Sequence, residues 1–404
     1  MLAGCAARDE GDWAALREVT PPSLATRTAT HAALAADRHG RVALTWVTRD
    51  SLGQDLWLAL SADSGLTFAD PVRVNPRPGS VTSYAECRPI AAFGPAGELL
   101  VAWSERRGDS LLVADLAVRA SSDGGRTLGP PVIVNDDAAD GRPVFHGFPS
   151  LVALPDAGWF AVWMDEREQV AAGARGATAS LFYALSHDGG QTWSDNRSLT
   201  ARVCTRCRAA AVADPSGLVA VAYRAAIGDL HDPALAVSTD GGVSFALDTV
   251  LAGDGWLLSG CPVEGPSLTV DHAGGGQYAW YTGAGEGGVW IVPWRADGGV
   301  AGLKRPLSDS LVFARHPQLV RLGEATLVAL EGRTAEDSTR SVVAVRALDP
   351  DGMLTPWLFL GGDARYAWMA PVSDRSALVC WTEHGDEGDR VRVLRLTRRP
   401  AARR

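Results

Sequence analysis

The chain has 404 residues, is 46% hydrophobic and carries a net charge of −9. That is ample for a large packed core, and the mild acidity argues against a nucleic-acid partner, which would want a basic face. Forty-four glycines, 23 prolines and 14 tryptophans point to an all-β chain rich in turns, and no apolar run reaches the 18 residues that would mark a membrane-spanning helix.

The N-terminus reads MLAGCAARDE. Leu2-Ala3-Gly4-Cys5 resembles the lipobox of bacterial lipoproteins, in which the cysteine is lipidated; the charged and apolar segments that ordinarily precede it are missing. The expectation is a lipobox and tether over residues 1–14 and one domain over 15–404. The protein would then sit in the bacterial cell envelope and meet the membrane only through a lipid on Cys5. In an oxidising compartment its cysteines can also pair.

Further along, four segments share the form S-x-D-x-G-x-[TS]-[FWL]: SADSGLTF (61–68), SSDGGRTL (121–128), SHDGGQTW (186–193) and STDGGVSF (238–245). The aspartates Asp63, Asp123, Asp188 and Asp240 can accept backbone N–H groups at a hairpin corner. Gly65, Gly125, Gly190 and Gly242 permit positive φ there. Phe68, Trp193 and Phe245 can pack between sheets, with Leu128 the weak copy. These four copies resemble the Asp box, or BNR repeat, of the sialidase family. The box is structural, so its aspartates are not read as catalytic.

Around each box the same larger unit recurs. An apolar strand, a turn, a strand ending in Trp or Tyr, a polar loop, a third strand, the box and a fourth strand follow one another. First strands are expected near His31, Pro89, Pro149, Arg208, Pro266, Pro317 and Tyr366. Units of roughly 50 residues have the scale of propeller blades. The fifth and sixth units keep only RADGGV and LDPDGM where the box should be. The seventh supplies three strands, and ALREVTPP near the N-terminus supplies its fourth. The expected fold is a single β-propeller of four-stranded blades, seven favoured and six possible, closed by the N-terminal strand.

In such a fold the blade-to-blade crossings share one face with the loops between second and third strands, and a rigid scaffold holds functional loops there. Four of the six cysteines fall on crossings: Cys87, Cys204, Cys207 and Cys261. So do His31, His146 and His316. A haem attachment site would need histidine directly after Cys207, and position 208 is Arg208. Three readings of the thiols remain. One is a disulfide such as Cys204 or Cys207 with Cys261. Another is a metal site of Cys204, Cys207, Cys261 and His146, a donor set that suits Zn(II) or Cu(I). The third is free or redox-active thiols.

The sialidase resemblance implies three arginines gripping a carboxylate, a tyrosine nucleophile made reactive by a glutamate, and an aspartate acid/base. The family's R-I-P motif is absent; the nearest string is Arg88-Pro89-Ile90. The residues that can take these roles are Arg88, Arg315 and Arg365, Tyr366 with Glu264, and Asp109 in SERRGD. The leading expectation is an exported, monomeric, sialidase-like propeller that binds or cleaves a small glycan-type ligand. The rivals are a metal-binding or redox propeller and a non-catalytic interaction scaffold.

Overall fold

The computed structural model describes residues 13–25, 28–174, 178–245 and 247–399. Cys5 and the lipobox lie outside these residues. One pattern recurs along the chain: four antiparallel strands pairing in sequence order. In the first unit these are Thr30–Ala36, Val42–Arg49, Gln54–Ser61 and Val72–Arg73. The second is built on Leu99–Arg106, which pairs with both Ile90–Phe93 and a short extra strand, Val81–Thr82. Units that start at His146–Ala153 and Ala210–Ala213 merge into one nine-stranded sheet through a single pairing, Val203 with Ala225. Two more units start at Ser267–Leu268 and Leu311–Leu322.

The last sheet joins the two ends of the chain. Ala364–Ser373, Ser376–Glu383 and Arg390–Arg398 are completed by Trp13–Glu18, with Leu16 opposite Leu396. The closing strand therefore comes from the N-terminal side, and it begins inside the segment read from sequence as a tether. The inner strands adjoin one after another, and Ala364–Ser373 adjoins Thr30–Ala36, so the ring closes.

The apolar middle strands follow from this stacking. A sheet covered on both faces needs continuous rather than alternating apolar runs. Trp159–Asp165 and Ala179–Ser186 are buried at every position. The core lies between neighbouring sheets: Leu56, Leu58, Val101 and Trp103 fill one such gap, and Trp13, Leu327, Val345, Met369 and Val379 another. Among the described residues no helix is long and apolar enough to cross a membrane.

The four repeated corners form one hydrogen-bond net. Ser61 Oγ donates to Asp63 (2.7 Å), and Thr67 donates its backbone N–H (2.9 Å) and its hydroxyl (2.6 Å) to the same carboxylate. Ser121, Asp123 and Thr127 repeat it, as do Ser186, Asp188 and Thr192, and Ser238, Asp240 and Ser244. These bonds hold Asp123 and Asp240 at about 2. At Asp63 and Asp188 burial pushes the other way and is outweighed, with the same result. Gly65 sits at φ +77°, and a Cβ there would stand 2.4 Å from Leu378 Cδ1, so glycine is required on both counts.

The inner strands behave differently. Most of them break register at the crossing end: between Thr30 and Ala33, Gly147 and Ser150, Val312 and Gln318, and Arg365 and Trp368. Inside these bulges His31, Phe148, Phe313, His316 and Tyr366 all take positive φ, from 51° to 56°. Left-handed backbone is costly for such residues and persists only where the surroundings impose it. A bulge also re-aims a side chain. The strained residues mark one end of the ring.

Candidate functional site

At that end the crossings bring together residues far apart in sequence. His316 is buried at the centre. Its Nδ1 lies 3.3 Å from Glu86 Oε1 and 3.3 Å from Glu264 Oε2, and its Nε2 is 4.0 Å from Glu331 Oε2. Arg208 Nε meets Glu86 at 3.0 Å and its NH2 donates to Pro317 O at 2.8 Å, so this guanidinium ties three units together. Arg315 Nε faces both Glu264 (3.1 Å) and Glu331 (3.7 Å).

The environments drive these carboxyls apart. Burial raises Glu86, but Arg208, His316 and the Gly265 N–H outweigh it and bring it to about 2. Burial wins at Glu264, with Glu86 adding to it against His316 and Arg315, and lifts it to about 7. Burial works against a charged His316, yet Glu264, Glu86 and Glu331 raise it overall. Two carboxyls on one imidazole thus hold opposite protonation preferences, an arrangement that recurs at functional sites.

Tyr366 lies against this network, half-buried. Its ring is 5.5 Å from His31 in an edge-on contact and 5.7 Å from His316. Burial and the Glu331 carboxylate push its phenol up, against the pull of Arg315, Arg365 and Arg88. His31 is driven down to about 3 by burial, then by Arg88 and Arg49, so it is neutral; its Nδ1 shares a hydrogen bond with Ser83 Oγ at 2.9 Å.

The expected roles are redistributed. Arg88, Arg315 and Arg365 do gather around Tyr366, but they are not equivalent. Arg88 is buried, donates to the carbonyls of Ala32 (2.9 Å) and Tyr366 (3.0 Å), and lies over the Trp368 ring. It is a clamp. Arg315 and Arg365 keep 44% and 40% of their side chains exposed and can face a ligand. The expected Tyr366–Glu264 pair is not formed. Glu331 is the carboxylate beside Tyr366 and accepts its backbone N–H at 3.3 Å, while Glu264 is engaged by Arg315 and His316. Asp109 is exposed on the turn after Leu99–Arg106 and makes no hydrogen bond to these groups. Glu86, Glu331 and Arg208 were not singled out from sequence. A glutamate ending the apolar run TLVALE was the available sign for Glu331.

Below the mouth, Glu86, Arg88, Arg208, Gln318 and Trp368 line an axial cavity of about 180 Å³.

The cysteines form a second cluster beside the mouth. All five described cysteines are free. Cys204 Sγ is 3.2 Å from Cys207 Sγ and 3.3 Å from Cys261 Sγ, and Cys207 to Cys261 is 3.7 Å. None of these reaches the roughly 2.05 Å of a disulfide. His146 does not join them. Its Nδ1 donates to Ala114 O at 2.8 Å and its Nε2 faces Asp137 (3.0 Å) and Asp165 (3.4 Å). Burial opposes its charge, but Asp137 and Asp165 raise it overall. Buried carboxylates flank this histidine, so it is not positioned as the fourth ligand to the thiols.

No protein-family model matches the chain, and no curated protein matches it. Solved structures do. An ulvan lyase of a polysaccharide lyase family, bound to -[GlcA(1-4)Rha3S]-, has a TM-score of 0.59 at 11% identity, covering 95% of this chain and 98% of its own. A protein of unknown function from Dyadobacter fermentans has 0.55 at 15%, covering 96% and 99%. The NanB sialidase from Streptococcus pneumoniae has 0.51 at 8%, covering 91% and 93%. The chain therefore has a β-propeller fold. A sialidase and a polysaccharide lyase are built on the same fold.

Proposed function

We propose that the protein is an exported, seven-bladed, sialidase-like propeller that binds an acidic carbohydrate at the crossing end and acts on it by proton transfer. The observation that carries this reading is Tyr366. It is held at a strained backbone angle, flanked by two imidazoles, and overlooked by two half-exposed arginines. Arg315 and Arg365 provide the planar donors that suit a ligand carboxylate. Tyr366, kept neutral, donates or relays a proton rather than attacking as a phenolate. Glu264, His316 and Glu331 are positioning residues: they hold Arg315 and set the charge behind the phenol. The glycan-active proteins of the same fold agree with a carbohydrate ligand, though likeness at this identity carries the fold alone. Seven blades is supported by the seven inner strands that adjoin in a ring. Export and a lipid on Cys5 rest on the lipobox string.

The test is a panel of acidic oligosaccharides, uronate- and sialate-containing, assayed for binding and cleavage. Tyr366→Phe is expected to leave binding intact and lower turnover about 10²–10⁴-fold. Arg315→Ala is expected to weaken binding. An absence of both binding and turnover across the panel would sink the proposal and favour a scaffold.

A further inference from the structure

Cys204 and Cys207 lie between the third and fourth four-strand units; Cys261 lies between the fourth and fifth. The two loops meet so that three sulfurs occupy the corners of a small triangle, with edges of 3.2, 3.3 and 3.7 Å. Cys204 and Cys207 are buried and Cys261 is half-buried. A metal ion about 2.3 Å from each of three sulfurs in a trigonal plane would set them about 4.0 Å apart. The edges of the triangle would open by roughly 0.3–0.8 Å to hold it. A disulfide, in contrast, would use two sulfurs and leave one over.

The surroundings mix sulfur and oxygen: the Thr205 carbonyl stands against both Cys204 Sγ and Cys261 Sγ, and a thioether and a backbone N–H face the same loops. The Val263 N–H points at Cys261 Sγ at 3.3 Å, a contact that favours thiolate character. The buried thioether of Met164 accepts the Arg206 N–H at 3.0 Å, directly beneath the Cys204–Cys207 turn. Arg206 and Val263 both hold positive φ, 64° and 58°, as each loop turns back to present its thiol. Among the described residues no histidine or carboxylate completes the group. Zinc on three protein ligands needs a water as its fourth. Three soft sulfurs without a fourth ligand suit Cu(I), which tolerates three-coordination.

We propose that Cys204, Cys207 and Cys261 form a three-thiolate site for Cu(I), separate from the Tyr366 mouth. On binding, the thiols release their protons and the sulfurs become the ligands. No electron transfer is involved, since the ion enters already reduced. The site makes no use of the carbohydrate reading, and either can fail alone.

The experiment titrates the reduced, anaerobic full chain with Cu(I) against a chromogenic copper chelator. One equivalent should be retained, and alkylation followed by mass spectrometry should find Cys204, Cys207 and Cys261 protected while bound. Each of Cys204→Ser, Cys207→Ser and Cys261→Ser should lower apparent affinity by at least about tenfold. His146→Ala and Cys380→Ser should leave it unchanged. Melting curves check that each variant folds. Should a serine variant unfold, the protection pattern of the wild type decides alone: bound copper without protection of these three thiols overturns the proposal. So does loss of all copper to the chelator, or a triple serine variant that holds copper as the wild type does.

Discussion

The two faces of the ring use carboxylates in opposite ways. On the corner face, Asp63, Asp123, Asp188 and Asp240 are each saturated by a serine two residues before and a threonine or serine four residues after. All four settle at about 2, as acceptors of bonds from their own corner. On the crossing face, Glu86 and Glu264 share one imidazole, draw their partners from positions tens to hundreds of residues away, and part to about 2 and about 7. Local saturation makes a corner; non-local, unequal saturation leaves groups able to change protonation near neutrality. The comparison is a physical reason to look for chemistry at one end of the ring and not the other.

The largest effect expected from the comparison is on the pH dependence of stability. Glu264 is raised from about 4.5 to about 7 when folded, so the folded state holds its proton more tightly. Its contribution is full below the unfolded value and is lost as pH rises through about 7. For Glu264 alone the difference is on the order of 3 kcal/mol, before any share taken by Arg315 and His316. His316 is also raised, so it slopes the same way. Chemical denaturation between pH 5 and 8 should show stability falling through neutrality, and Glu264→Gln should flatten that fall. Asp188→Asn, on the other face, should leave the slope over this range unchanged. A slope untouched by Glu264→Gln would break the contrast.

Next in size is a backbone effect. Gly65→Ala forces a side chain onto φ +77° and against Leu378. The expected cost is about 2 kcal/mol, seen as a lowered denaturation midpoint, with ligand affinity at the mouth retained. A variant that lost affinity while keeping its stability would show that the two faces are coupled.

Much of this architecture is legible in the sequence, because its signals are short-range. The corner net spans eight residues, so its form is visible as a string. The apolar middle strands and the closing role of the N-terminal strand follow from repetition. The cysteine triangle was legible because topology puts those crossings side by side. What sequence could not carry was pairing across the ring. His146 and the thiols both sit on crossings, yet its ring turns to Asp137 and Asp165. Glu264 and Tyr366 likewise share a mouth without touching, because Glu331 takes the place beside the tyrosine. The bulges were silent for another reason. Positive φ usually announces itself as glycine or asparagine, and here it falls on His31, Phe148, His316 and Tyr366.

The smallest effect is the most exacting test of the corner face. Thr192→Val keeps the shape and β-branching of the side chain and removes only the hydroxyl that donates to Asp188 Oδ2 at 2.6 Å. Asp188 keeps its bonds from Ser186 Oγ, from the Gln191 N–H and from the Thr192 N–H. The loosened oxygen lies near the surface, where water can replace the lost donor. The expected loss is therefore only about 1 kcal/mol. If the four corners are independent, Thr67→Val and Thr127→Val should each cost the same and the three should add, since they lie in different sheets. A cost that grew with each added variant would mean that the corners brace one another around the ring. Far-face carboxylates would then be as non-local in their energetics as those at the mouth.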